Sequence, residues 1–239
     1  MNLLAFDTST ETMSIALRHD ASGVRDGGGM LEHVAPGGAQ SSAALIPAIM
    51  GLLAQAGLSL AQLDAIAFGR GPGSFTGLRT ACAVAQGLAF GAGIPVLALD
   101  TLMAVAEEAR HAAGATRVVA VLDARMDEVY SAAYVHERGA WRQEGGFLLS
   151  SPHAITVAAG WVLAGNAFTA YGDRLPAADE RIDALPTARA LLRLAPAALA
   201  SGQAVAADQA MPLYIRDKVA QTTEERAAAR AASAPNPIP

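Results

Sequence analysis

A short pattern occurs twice in this chain, and it restricts the available folds more than any other feature. Asn2 to Phe6 is an apolar strand ending on Asp7; a hydroxyl-rich turn then reaches Glu11, and Thr12 to Leu17 alternates as a second strand. Arg117 to Leu122 is again an apolar strand ending on Asp123, a polar turn reaches Glu128, and Val129 to Val135 alternates. Such a repeat predicts two related halves that face each other, with Asp7 and Asp123 at the cleft between them. An aspartate followed by hydroxyl residues at a strand end has two readings. It holds a metal-bound phosphate through water and backbone N–H groups, or it closes an Asx-turn on itself.

The second constraint is the run Gly69-Arg70-Gly71-Pro72-Gly73-Ser74-Phe75-Thr76-Gly77-Leu78-Arg79. Leu63 to Phe68 before it reads as a short buried strand, and Thr76 to Phe90 after it as a helix. Strand, glycine loop and helix start form the layout of an anion site, with Ser74 or Thr76 as the cap. A tight turn with no ligand has the same layout. Named phosphate motifs fail here. The only lysine is Lys218, so there is no P-loop, and the third glycine of Gly-x-Gly-x-x-Gly is missing from either starting point. Pro72 and Thr76 around Ser74 exclude a hydrolase elbow.

A chain of 239 residues can bury a core as one large domain or two small ones. Hydrophobic residues make up 52% but aromatic ones only 5%, so closely packed helices with small side chains are expected. The apolar run Thr80 to Leu99 is interrupted by Gln86, glycines and Pro95 and does not read as a membrane span. No secretory leader precedes Asp7, and a soluble, cytoplasmic protein is expected. The single Cys82 excludes an internal disulfide and a cysteine zinc cluster. A net charge of −5 supplies no basic field for nucleic acid, so any RNA role must be shared with a partner.

Between these motifs, Asp20 to Gly29 predicts a turn and a poorly specified edge, and Gly37 to Ser42 a loop. A helix is predicted from Ala43 to Ala56, with Leu45, Ile49, Leu52 and Leu53 on one side. On the Ser74–Phe90 helix, Gly77, Ala81, Ala85 and Ala89 form a row of small residues that lets another helix approach closely. That row serves an internal contact or a subunit interface. Ile94 to Leu99 reads as a strand and Thr101 to Ala113 as a helix. Gly145 to Leu149 and Trp161 to Gly165 read as strands, and Thr187 to Ala200 as a helix disturbed near its end by Pro196. Residues 221–239 read as a helical extension or a disordered tail.

Together the segments Leu4 to Thr10, Gly69 to Arg79, Asp123-Ala124-Arg125-Met126-Asp127-Glu128-Val129-Tyr130 and Pro212-Leu213-Tyr214-Ile215-Arg216 resemble the bacterial TsaB (YeaZ) family, over about the first 219 residues. The resemblance implies an α/β chain of the actin-like, sugar-kinase-like (ASKHA) fold. It would have two related subdomains with mixed sheets flanked by helices, here residues 1–100 and 101–220, followed by a tail at 221–239. It implies a non-catalytic subunit in the formation of N6-threonylcarbamoyladenosine at position 37 of tRNAs reading codons that begin with A. The partners implied are a TsaD-like catalytic subunit, a TsaE-like ATPase, a second copy when alone, and tRNA only through the complex. The helices that would meet a partner correspond to Ala43–Ala56 and Ser74–Phe90, which assigns Leu45, Ile49, Leu52, Gly77, Ala81, Ala85 and Ala89 to an interface.

The catalytic paralogue carries a histidine pair, four residues apart, on its first long helix. This chain has Ser41 there, and His19, His33, His111, His136 and His153 are scattered, so no metal site is expected. Asp7, Gly71, Gly73, Ser74, Thr76 and Asp123 are then remnants of a phosphate or nucleotide site. No cofactor is required, and weak binding of ATP or ADP with magnesium is the residual expectation. The rival reading is an ATP-dependent phosphotransferase using the Asp7/Asp123 cleft. A peptidase has no nucleophile elbow and no paired ligands to work with. Arg70, Arg79 and Arg125 are left to RNA, a partner or carboxylates of their own chain.

Overall fold

The computed structural model describes residues 1–20 and 29–216. Its first half runs β1 (Leu3–Asp7), β2 (Thr12–His19), β3 (Gly29–Pro36), α1 (Ser41–Ala56), β4 (Ala65–Gly71), α2 (Phe75–Ala92) and β5 (Val96–Asp100). After α3 (Thr101–Ala113) the second half runs β6 (Arg117–Arg125), β7 (Glu128–Glu137), β8 (Ala140–Ser150), β9 (Val162–Gly165), the single turn α4 (Phe168–Tyr171), β10 (Arg181–Asp183) and α5 (Ala188–Ala200). The two sheets have the orders β3-β2-β1-β4-β5 and β8-β7-β6-β9-β10. Adding five to each strand of the first gives the second. In both, the hairpin pairs antiparallel and the next strand joins in parallel. The predicted repeat is thus a repeat of whole sheets.

Alternation along β1 explains the layers. Leu4 and Phe6 point into a core closed by α1 and α2, while Leu3 and Ala5 point into a second core closed by α5. A strand covered on both faces can be apolar throughout, as β1 is. Leu45, Ile49, Leu52 and Leu53 of α1 lie in the first core, and burial of each stabilises the fold by roughly 2 kcal/mol. Helix α3 covers the second sheet through Leu102, Val105, Ala106 and Ala109.

Several expectations shift. Strand β3 extends past the predicted turn with little sequence signal, because it is an edge with Glu32, His33 and Val34 exposed and its alternation is faint. Strand β8 begins five residues before the expected Gly145, since the polar run Arg142 to Glu144 pairs with β7 as an outer strand. Helix α5 continues through Pro196 to Ala200, because Ala195 and Ala198 bury against the first sheet on either side of it. Its start is capped by Thr187, whose hydroxyl accepts from the Ala190 N–H at 3.1 Å. The boundary at residue 100 separates the two sheets, but the chain does not stay divided. Helix α5 returns to pack on β1, β2, β4 and β5, and Val205 pairs with Val96 at the edge of the first sheet. The tail at 221–239 lies outside the described residues. No helix among the described residues is long and apolar enough to cross a membrane.

Candidate functional site

The carboxyl ends of β1, β4 and β6 meet at a cleft of about 660 Å³, lined from both halves. The two repeat aspartates stand at corresponding positions near the ends of β1 and β6, and the turn each makes is the same. Asp7 Oδ1 accepts the Ser9 N–H at 2.8 Å, and Asp123 Oδ1 accepts the Arg125 N–H at 2.7 Å. Each closes an Asx-turn, so that reading holds in both copies.

Beyond that turn they differ. Asp7 is fully buried and lies outside the cleft lining. Its Oδ1 also accepts the Ser9 hydroxyl at 2.6 Å, and its Oδ2 accepts from Thr101 Oγ1 at 3.4 Å. Gly69 closes it from below: a Cβ there would fall 1.7 Å from Oδ2. In this arrangement Asp7 is sealed from the cleft and stands apart from the place expected for it. Asp123 does line the cleft, but its oxygens are engaged by Arg125 at 3.0 Å and by the Tyr171 hydroxyl at 2.8 Å. Burial and the neighbouring Asp123 push the Tyr171 hydroxyl up to about 12, so it remains a donor. Asn166 Oδ1 accepts the Asp123 N–H at 2.9 Å, and Arg125 also pairs with Glu11, joining the two repeat turns across the cleft.

Burial raises the Asp7 carboxyl to about 6, against the opposing hydrogen bonds from Ser9 and Thr101. An acid whose folded pKa lies above its unfolded one is penalised when ionised. The penalty is absent well below about pH 4, grows as pH rises from about 4 to 6, and is complete above that. A shift of about two units corresponds to about 3 kcal/mol. Asp7→Asn keeps an oxygen for Ser9 and removes the charge. It is expected to exceed the wild type in stability at pH 8, by up to about 3 kcal/mol, with the gain largely gone near pH 4. Urea unfolding at the two pH values measures this, and a less stable variant at pH 8 would mean that the charge itself is needed.

The glycine loop packs against the β1–β2 turn. The Ser74 N–H donates to Ser9 O at 2.7 Å, and the Thr8 hydroxyl donates to Gly77 O at 2.7 Å. A Cβ at Gly73 would stand 2.6 Å from Ser9 Cβ, and one at Gly77 only 1.8 Å from Thr8 O. The glycines are thus explained by the approach of one backbone to another. Gly73 and Ser74 line the cleft, Gly71 is buried behind it beneath Leu213, and Thr76 points to solvent outside the lining. Ser74 stands at the N-cap position, but its side chain makes no capping bond. Of six expected phosphate-site residues, the cleft brings together Gly73, Ser74 and Asp123. The present arrangement does not fit a magnesium-phosphate site, and the described residues hold no group of three His, Cys, Asp or Glu suited to a metal ion.

The residues assigned to a partner interface also move. Leu45, Ile49, Leu52, Ala81, Ala85 and Ala89 are buried in the chain's own first core, and Gly77 faces Thr8. The small-residue row serves the internal contact, because α2 must lie close against β1 and β4. Outside the buried stripes of the same two helices, Ile46, Met50 and Phe90 are exposed, Phe90 at 82%.

Tyr171 and Asn166 have no signal in the sequence, since polar residues far apart in the chain carry no periodicity, and Glu11 and Arg216, marked by the repeated turn and the C-terminal motif, gain their contacts only in the fold. The unassigned arginines all find partners within the chain. Arg70 pairs with Asp100 at 2.7 Å, Arg79 bonds the Tyr214 hydroxyl at 3.0 Å, and Arg125 binds Asp123 and Glu11.

Duplicated mixed sheets with the hairpin turns and strand ends of both halves at an intervening cleft define a two-lobed protein of the actin-like, sugar-kinase-like fold. Residues 28–160 match the family model described as TsaD: tRNA N6-adenosine threonylcarbamoyltransferase, and the chain is 37% identical over 231 residues to the Escherichia coli tRNA threonylcarbamoyladenosine biosynthesis protein TsaB, covering 92% of this chain and 96% of that one. The Haemophilus influenzae TsaB is 36% identical with 92% and 95% covered, and a solved structure of YeaZ from Pseudomonas aeruginosa superposes with a TM-score of 0.80 at 43% identity over 90% of this chain and 99% of that one. The chain belongs to the TsaB family.

Proposed function

We propose that this chain is a non-catalytic partner and activator of a TsaD-like threonylcarbamoyl transferase, acting in the biosynthesis of N6-threonylcarbamoyladenosine at position 37 of tRNA. The observation that carries the reading is the exposure of the apolar side chains Ile46 and Met50 on α1 and Phe90 on α2, in a chain of the TsaB family. The inner faces of those helices complete the core, so the outer faces are free to meet a similar pair of helices. A TsaD-like subunit takes that place in the complex, and a second copy of this chain takes it in isolation. A TsaE-like ATPase joins the pair, and tRNA is held by the assembly rather than by this acidic chain alone. The setting is the cytoplasm.

In this reading the chain transfers nothing itself. Its cleft carboxylates are held in internal hydrogen bonds, and it needs no cofactor. The rival phosphotransferase would require Asp7 to reach a magnesium ion, which burial behind Ser9 and Gly69 opposes. The test is reconstitution with a TsaD-like subunit, the synthase of threonylcarbamoyl-adenylate, the ATPase, threonine, bicarbonate, ATP and unmodified tRNA. Modified adenosine is expected only when this chain is present, and the chain alone is expected to turn over no ATP. Equal modification without it would overturn the reading. ATP turnover by the chain alone, lost in Asp7→Asn, would establish the rival.

A further inference from the structure

The segment after α5 crosses the molecule, lines the cleft through residues 213–216 and bonds to both halves. Ala210 O accepts from Gln86 Nε2 at 2.8 Å on α2. The Leu213 N–H donates to Arg70 O at 2.7 Å beside the glycine loop, and Leu213 O lies where a Cβ on Gly71 would be 2.5 Å away. Tyr214 sits against Phe75 with ring centroids 5.4 Å apart, and the Arg79 guanidinium lies 3.8 Å over the Phe75 ring. All of these contacts are made with the first half.

Two residues later the same segment reaches the second half. Arg216 donates to Glu128 Oε2 at 2.7 Å, to Ala124 O at 3.0 Å and to Met126 Sδ at 2.9 Å. Its targets are Met126 in the turn between β6 and β7 and the strand residues Ala124 and Glu128 that flank it. That turn holds three consecutive non-glycine residues in the left-handed region, Arg125 at φ +62°, Met126 at +56° and Asp127 at +60°. A side chain disfavours this region at each position, so three in succession persist only where surrounding contacts hold them. The guanidinium fork supplies such contacts on one side, and Asp123 Oδ1 supplies another through the Arg125 N–H.

We propose that residues 210–216 are a strap coupling the first turn of α2 to the β6–β7 turn, with Arg216 as the positioning residue that sets the cleft in one arrangement. A ligand or partner that moves either end then changes the other, because the connection is one short, bonded segment. Since Arg125 also meets Glu11, the strap controls the cross-cleft pair as well. The coupling lies within this chain and stands independently of the docking reading.

Trypsin tests it directly in the full-length chain. Cleavage after Arg125 requires an extended backbone, which the held left-handed turn denies the protease. Arg216→Ala is expected to speed cleavage after Arg125 at least about tenfold, with cleavage after the exposed Arg142 and Arg189 unchanged as internal references. Arg216→Lys keeps one charge but not the fork and is expected to fall between. Amide exchange in residues 75–79 should also rise in Arg216→Ala, because Tyr214 loses its anchor beyond the cleft. An unchanged rate at Arg125, or the same acceleration at all three sites, overturns the proposal. Opening of the turn with no change in residues 75–79 overturns the coupling.

Discussion

Leucine at position 77 is expected to yield no folded chain. Gly77 lies in the first turn of α2, directly above β1, where even a methyl group would stand 1.8 Å from Thr8 O and 2.9 Å from Thr8 C. Those are backbone atoms at the end of a central strand and cannot turn aside. Helix α2 cannot retreat either, since the Ser74 N–H is bonded to Ser9 O and Leu78 and Ala81 are buried. Gly77→Ala is therefore expected to cost about 3 kcal/mol or more, at the upper end for overpacking, and Gly77→Leu to exceed what a domain of this kind can lose. The urea midpoint of the alanine variant and the soluble yield and circular dichroism of the leucine variant measure it. A folded leucine variant of normal stability would return the small-residue row to the partner face.

The second large effect leaves the fold untouched. Met50→Arg combined with Phe90→Arg places two charges on the outer faces of α1 and α2, where neither side chain contributes to the core. Stability is expected to stay within about 0.5 kcal/mol of wild type, as for exposed positions elsewhere. Association with a TsaD-like subunit, and self-association when alone, should weaken at least about 100-fold, because each charge would be desolvated without a partner. Sedimentation velocity reads both. The pair of experiments separates two properties that the sequence merged: Gly77 variants lose fold and pairing together, and the arginine variants lose pairing alone. Undiminished association would place the docking surface elsewhere.

The duplicated pattern around Asp7 and Asp123 was legible because it is local, and its alternation and terminal aspartates survive in the sequence. The duplication extends to the order of every strand, which no residue pattern displays: β3 and β10 are edge strands too polar or too short to announce themselves. The glycine loop was legible as a loop, and its two readings could not be separated without knowing what lay opposite. Thr8 and Ser9 lie there, more than sixty positions back in the chain, and they account for Gly73 and Gly77 by contact.

The face of a helix is the clearest case. Leu45, Ile49 and Leu52, and the row Gly77, Ala81, Ala85, Ala89, are marked by spacing as contact surfaces, and spacing says nothing about whether the contact is with the same chain. Burial settled it in favour of the chain's own core. The sequence by itself determined the local elements, the twofold plan and the family, because periodicity, turn chemistry and short motifs are written in neighbouring residues. The tertiary structure alone decided that Asp7 is sealed from the cleft, that Arg125 reaches Glu11 across it while Arg216 holds the β6–β7 connection, and that Ile46, Met50 and Phe90 stay exposed among the described residues. Each of those depends on atoms brought together from distant parts of the chain, and the distance between such atoms is fixed only when the cores close.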